Sequence, residues 1–133
     1  MRSTVETTEE GRPHVLVVEN EAHLARLLEE LLSPLGVRVT CVRSGPEAME
    51  HIRVEPGPRL VLLDVMLPGM DGLDVLRAAR EERDEAELPV IVLTGRGEPD
   101  LRERAFELGA TDLFTKPFSP RALVERVEEV CRP

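Results

Sequence analysis

The stretch Leu60-Val61-Leu62-Leu63-Asp64-Val65-Met66-Leu67-Pro68-Gly69-Met70-Asp71-Gly72 restricts the fold more than any other part of the chain. It opens as an aliphatic run too short to span a membrane. Apolar at consecutive positions and bounded by turn residues, that run fits a strand buried on both faces. One carboxylate, Asp64, stands where the strand should end. Pro68, Gly69 and the pair Asp71-Gly72 then turn the chain sharply. Open α/β sheets bind ligands at the carboxyl ends of such strands. The plain alternative is an aspartate that only caps a loop, and the rest of the chain decides between the two.

Four further strands are legible around this one. His14-Val15-Leu16-Val17-Val18 is short and apolar and is closed by Glu19-Asn20-Glu21, with Asn20 placed to cap the following helix. Leu24, Leu27, Leu28, Leu31 and Leu32 recur at helical spacing up to Ser33-Pro34, and Gly36 stops that helix. Val37, Val39 and Cys41 alternate with Arg38, Thr40 and Val42, as in a strand nearer the sheet edge. Ser44-Gly45-Pro46-Glu47 has capping-box spacing and opens a helix carrying Ala48, Met49 and Ile52. Gly57-Pro58 breaks the chain before the strand at Asp64.

A third helix after Asp71-Gly72 carries Leu73, Leu76 and Ala79 and ends in Glu81-Glu82-Arg83-Asp84-Glu85. Pro89-Val90-Ile91-Val92-Leu93 forms a fourth buried strand, closed by Thr94-Gly95. Pro99 starts a fourth helix with Leu101, Ala105 and Leu108, ended by Gly109. Thr111 to Thr115 is a fifth strand, closed by Lys116-Pro117-Phe118, and Ser119-Pro120 opens the last helix. Strands alternating with helices predict one doubly wound α/β domain with a five-stranded parallel sheet and five helices. Residues 1–12 are polar and read as a disordered arm, with the domain over residues 13–133.

Right-handed crossovers place all strand ends on one edge. Glu19, Asn20, Asp64, Thr94 and Lys116 therefore share a rim. Composition narrows what that rim can do. The net charge is −9 and no basic face is evident, which argues against direct nucleic-acid binding. Aromatics make up 2% of the chain, with no Trp or Tyr, so stacking on a flat cofactor such as a flavin is disfavoured. Cys41 and Cys131 have no zinc spacing and read as free thiols of a reducing compartment. The N-terminus lacks the apolar core of a signal peptide, and a cytoplasmic location is expected.

No nucleophile elbow and no glycine-rich nucleotide loop is present. A carboxylate can, however, attack phosphorus to give an aspartyl-phosphate. Mg²⁺ on oxygen ligands and a lysine can supply the positive charge this chemistry needs, and a threonine hydroxyl can bond a phosphoryl oxygen.

The residues Val17-Val18-Glu19-Asn20-Glu21, Leu63-Asp64-Val65-Met66-Leu67-Pro68-Gly69-Met70-Asp71-Gly72, Leu93-Thr94-Gly95 and Thr115-Lys116-Pro117-Phe118 together resemble a receiver domain of the two-component response regulator family. The resemblance runs from about His14 to Cys131. It implies a flavodoxin-like fold with strand order 2-1-3-4-5. It makes Asp64 the phosphoacceptor, Thr94 the switch hydroxyl and Lys116 the phosphate-binding lysine. Glu19, Asn20, Asp64 and the backbone carbonyl of Met66 become Mg²⁺ ligands, and the Lys116-Pro117 bond becomes cis. The implied donor is a sensor histidine kinase or phosphotransfer protein of a phosphorelay. The implied output is a protein target or homodimer formed through the helix 4–strand 5–helix 5 face. Such a domain assists its own phosphorylation but is not a turnover enzyme.

Two positions depart from the pattern. Asn20 stands where the family has a second acid, which predicts weakened Mg²⁺ binding. Leu113 stands where the family often has an aromatic switch residue, with Phe114 beside it on the opposite strand face. These departures motivate an alternative, a receiver-like interaction module that works without phosphorylation.

Overall fold

The computed structural model describes residues 11–95 and 99–132. The arm expected over residues 1–12 lies outside the described residues except for Gly11 and Arg12. The main elements are β1 (His14–Val18), α1 (Ala22–Leu32), β2 (Arg38–Val42), α2 (Gly45–Arg53), β3 (Leu60–Asp64), α3 (Gly72–Glu82), β4 (Val90–Thr94), α4 (Leu101–Glu107), β5 (Asp112–Thr115) and α5 (Pro120–Cys131). The five strands form one sheet in the order β2-β1-β3-β4-β5, with every pair parallel. This is the flavodoxin-like order that the family resemblance implies.

Both sheet faces are covered, which explains the unbroken apolar runs of the central strands. Leu16, Val18, Val61, Leu63, Val90, Val92 and Leu113 point to the layer made by α2, α3 and α4. Val15, Val17, Leu60, Leu62, Ile91 and Leu93 point to the layer made by α1 and α5. Each helix presents a stripe to its layer: Ala48, Met49 and Ile52 from α2, Leu73, Leu76 and Ala79 from α3, and Leu123 and Val127 from α5. Fully burying such a side chain contributes about 1.5–3 kcal/mol, so the strand register is fixed by two cores at once. Among the described residues no helix is long and apolar enough to cross a membrane.

Local chemistry sets the boundaries and corrects the sequence expectations in places. The cap of α1 is Glu21, not Asn20: its carboxylate accepts the N–H groups of His23 (2.9 Å) and Leu24 (3.0 Å). The reason lies one residue earlier, where the Glu19 N–H donates to the Val42 carbonyl at 2.9 Å and extends the β1–β2 ladder. The helix therefore starts later, and a carboxylate meets the positive end of its dipole. Ser33–Leu35 continues α1 as a 3₁₀ turn, ended by Gly36 at φ +74°. Val37, just before β2, and Val42, at its end, are buried while Cys41 is exposed, so the expected alternation of Val37, Val39 and Cys41 ends before Cys41. Helix α4 begins at Leu101, after a turn at Pro99 and Asp100, and Leu108 lies just past its end.

Between β3 and α3 the chain makes a short antiparallel hairpin, Met66–Leu67 with Met70–Asp71. Gly69 takes a φ of +72° there. Asp71, read in the sequence as part of a turn, caps α3 through a bond from the Leu73 N–H at 2.9 Å.

Candidate functional site

The rim is built by the strands themselves. Asp64 ends β3 in register with Leu93, and Thr94 ends β4 in register with Thr115. The Lys116 N–H donates to the Thr94 carbonyl at 2.7 Å, which carries the ladder one step further, and the Lys116-Pro117 bond is cis. Lys116 reaches back across Thr94 to put its ammonium 3.1 Å from Asp64 Oδ2 and 3.7 Å from Glu19 Oε1. Glu19, Asp64 and Thr94 are each at most 2% exposed and are the buried polar residues among those described.

The two oxygens of Asp64 have different surroundings. Oδ1 accepts the Met66 N–H at 3.0 Å, which fixes the carboxylate plane against the hairpin. Oδ2 faces Lys116. Glu19 is likewise divided: Oε2 accepts the Glu21 N–H at 2.9 Å, and Oε1 is buried without a hydrogen-bond partner among the described residues. Desolvation, followed by the neighbouring Asp64 carboxylate, pushes the Glu19 carboxyl up to about 7, against the opposing pull of the Glu21 N–H and Lys116. A buried acceptor in this condition is satisfied by a proton or by a cation.

Helix α3 is docked hard against the acceptor. The Gly72 N–H donates to the Val65 carbonyl at 2.8 Å. A Cβ on Gly72 would overlap the Asp64 carbonyl oxygen and come within 2.6 Å of Val65 Cα. The Asp71-Gly72 pair is thus a cap followed by a close approach of backbone to backbone. The sequence carried the signal as the dipeptide, but the contact partner is visible only in the fold.

Of the five expected rim residues, the structure brings Glu19, Asp64 and Lys116 into one ion cluster, with Thr94 buried at the adjoining strand end. Asn20 is exposed, and its backbone carbonyl accepts a bond from Arg43 Nη2 at 3.3 Å. Its side-chain amide makes no hydrogen bond among the described residues. Met66 places its backbone N–H on Asp64, while the residue as a whole is 56% exposed. Leu113 lies in the α2–α3–α4 layer and Phe114 in the α1–α5 layer, on opposite faces as expected.

The donor set can be tested against Mg²⁺. Among the described residues no three His, Cys, Asp or Glu side chains gather to hold a metal. Two carboxylates do converge, however, and one offers a buried oxygen, Glu19 Oε1, that has an ion contact to Lys116 but no hydrogen-bond partner among the described residues. Hard oxygen donors of this kind, completed by amide or backbone oxygens and water, suit Mg²⁺. The residues fit the ion with one carboxylate fewer than an all-acid site would offer.

Sequence reasoning passed over Arg43, which follows β2 directly and is tied to the loop after Glu19. An arginine set between the end of a strand and the capping Ser44 was the available signal.

The response regulator receiver domain model matches residues 15–128. The phosphate regulon transcriptional regulatory protein PhoB of Klebsiella pneumoniae is 40% identical over 118 residues, covering 89% of this chain and 51% of that protein. The chain spans about half the length of the curated relatives it matches. A signal receiver domain of a histidine kinase from Syntrophus aciditrophicus superposes with a TM-score of 0.80 at 32% identity, covering 90% of this chain and 89% of that one. The receiver domain of the sensor histidine kinase PA1611 from Pseudomonas aeruginosa, which holds a magnesium ion in its active-site cleft, gives a TM-score of 0.78 at 28% identity over 91% of this chain and 98% of that one. With the parallel sheet in the order β2-β1-β3-β4-β5 and a lysine bridged to the acid that ends its central strand, the chain belongs to the response regulator receiver domain family.

Proposed function

We propose that this chain is a phosphorylation-dependent signalling switch whose phosphoacceptor is Asp64. The observation that carries the reading is the Lys116 ammonium, held 3.1 Å from Asp64 Oδ2 beside a buried Glu19 oxygen that has no hydrogen-bond partner among the described residues. The donor is the phosphohistidine of a sensor histidine kinase or phosphotransfer protein. Asp64 Oδ2 attacks phosphorus and the O–P bond forms. The donor's N–P bond breaks, and its electron pair returns to the imidazole nitrogen, which takes up a proton.

Asp64 Oδ1 stays on the Met66 N–H through the transfer, so the nucleophile is oriented before the donor arrives. Lys116 moves its ammonium from the carboxylate to a phosphoryl oxygen, and the Thr94 hydroxyl binds another. Glu19, Asp64, the Asn20 side chain and the Met66 carbonyl would hold Mg²⁺. When bound, the ion neutralises charge building up on the phosphoryl oxygens. Loss of one carboxylate at Asn20 makes that binding weaker than in an all-acid site.

Drawing Thr94 and Lys116 onto the phosphoryl group pulls the ends of β4 and β5 and so biases the α4–β5–α5 face, where a protein target or a second copy docks. The domain's cytoplasmic setting and its lack of enzymatic turnover belong to the same reading. The domain is acidic, and direct nucleic-acid contact is no part of this reading. The exposed Asn20 favours one rival, a module that signals without phosphate. The two part on a single experiment: incubation with acetyl phosphate and Mg²⁺, followed by intact-mass analysis of wild type and Asp64→Asn. The switch predicts one added phosphoryl group in wild type and none in the variant. No uptake by wild type at saturating Mg²⁺ would leave the phosphate-independent module.

A further inference from the structure

Read across the rim in strand order, the residues are Arg43 after β2, Glu19 after β1, Asp64 ending β3, Thr94 ending β4 and Lys116 after β5. A cation stands at each edge, with two carboxylates between them. Lys116 is spent on those carboxylates. Arg43 is placed differently. It is exposed, and its guanidinium is steered over the Glu19–Asn20 loop by the bond from Nη2 to the Asn20 carbonyl. Among the described residues no carboxylate pairs with that guanidinium. Nearby Glu47 is occupied, since its Oε1 accepts the Arg43 backbone N–H at 3.1 Å and the Ser44 hydroxyl at 3.0 Å. Most of the guanidinium's five N–H donors remain unspent.

We propose that Arg43 is a donor-binding residue of this rim: its guanidinium takes the phosphoryl oxygens of the incoming donor on the side opposite Lys116. The proposal rests on the phosphoryl-transfer reading of Asp64 and names a recognition element within it. Three arguments support it. The first is charge. Glu19 and Asp64 present two carboxylates to an incoming phosphoryl dianion, and Lys116 is held on both of them. Arg43 adds a second cation beside them, next to Asn20, which brings no carboxylate.

The second argument is reach. Two strand spacings of about 4.8 Å separate β2 from β3, a gap that an arginine side chain and a phosphoryl group together span. The third is chemistry. A planar fork that is always charged matches phosphoryl oxygens, and its one carbonyl bond leaves most of its donors for them. The shared ligand chemistry is a terminal phosphoryl dianion, whether carried by a small acyl phosphate or on a protein histidine.

The test compares wild type, Arg43→Ala and Arg43→Lys. With acetyl phosphate, and separately with phosphoramidate as the P–N donor, Arg43→Ala should raise KM about tenfold, equivalent to ~1.4 kcal/mol, with a smaller change in the maximal rate. Arg43→Lys should recover part of that loss. The effect should shrink as ionic strength rises. An equal effect on both donors assigns recognition to the phosphoryl group, and an effect on one alone assigns it to that source. Calorimetric Mg²⁺ titration should show tighter binding in Arg43→Ala, because a neighbouring positive charge is gone. Urea unfolding should show little change.

A readout independent of transfer keeps the two proposals apart. Acetonylphosphonate, an acyl-phosphate analogue that cannot transfer, should bind wild type more tightly than Arg43→Ala in an NMR titration. If wild type takes up phosphate with the same KM as both variants, the Arg43 proposal is overturned and the switch stands. If wild type takes up no phosphate yet binds the analogue through Arg43, the switch fails and the recognition site stands. Equal or absent analogue binding in wild type and Arg43→Ala overturns the Arg43 proposal.

Discussion

Gly72→Ala should be among the most damaging single-methyl additions available in this domain. The new Cβ would overlap the Asp64 carbonyl oxygen, lie 2.6 Å from Val65 Cα and lie 3.0 Å from the Asp64 carbonyl carbon. Every one of those atoms is backbone, so no side chain can rotate away. Relief requires α3 to move off β3, which strains the Gly72 N–H bond to the Val65 carbonyl and shifts the acceptor. Overpacking of this kind costs about 1–3 kcal/mol, and backbone-only contacts place it at the upper end. Alanine's better helix propensity returns up to about 1 kcal/mol.

The net expectation for Gly72→Ala is about 2 kcal/mol of destabilisation. With a urea slope of about 1–3 kcal/mol/M, the midpoint should fall by roughly 1 M. Gly95→Ala is the control, because among the described residues its Cβ would meet only Lys116 Cδ and Cβ, at 3.9 and 4.0 Å. Acetyl phosphate uptake at full Mg²⁺ should also slow in Gly72→Ala but not in Gly95→Ala. A midpoint for Gly72→Ala no lower than that of Gly95→Ala would refute the close-packing argument, and with it the claim that α3 fixes the acceptor.

Three other expectations follow from the ion cluster. Lys116→Ala removes the cation from two buried carboxylates, so Asp64 phosphorylation should slow and its effect on the α4–β5–α5 face, read by NMR shifts, should be lost; normal coupling would make Lys116 structural only. Asn20→Asp adds a carboxylate and should tighten Mg²⁺ binding by about tenfold, since an ion contact at an effective dielectric near 20 amounts to a few kcal/mol before solvation offsets it; an unchanged titration would contradict the weakened-site argument. In Mg²⁺-free buffer the Glu19 carboxyl, raised from 4.5 to about 7 in the fold, binds its proton more tightly folded than unfolded. Its stabilising contribution is therefore complete below about pH 4.5 and is lost as the pH rises through about 7. The total is about 3 kcal/mol at most, read as the difference between wild type and Glu19→Gln in urea unfolding at each pH, and a flat difference would refute it.

The rim was legible because each strand is an apolar run that stops at one polar residue, and parallel topology sends all those stops to one edge. What stayed hidden depends on atoms distant in sequence. Asn20 looked like the cap of α1 because amides suit caps, yet Glu21 took that place once Glu19 continued the β1–β2 ladder. The Asp71-Gly72 pair is a turn signal in any sequence, and only the fold shows α3 pressed onto the Asp64 backbone. Glu19 read as one more rim acid, and its raised pKa arises from burial beside Asp64, which no local pattern encodes. Arg43 drew no reading from the sequence, and only the fold shows its bond to the Asn20 carbonyl.

The most direct test of the central claim locates the phosphoryl group chemically. Wild type is treated with acetyl phosphate and Mg²⁺ and then reduced with borohydride, which converts an aspartyl-phosphate to homoserine, and the tryptic peptide from Leu60 to Arg77 is sequenced by mass spectrometry. The account predicts homoserine at position 64 and nowhere else, with none in protein not exposed to the donor. Homoserine at any other aspartate, or an unreduced Asp64 in protein that has taken up phosphate, would contradict it.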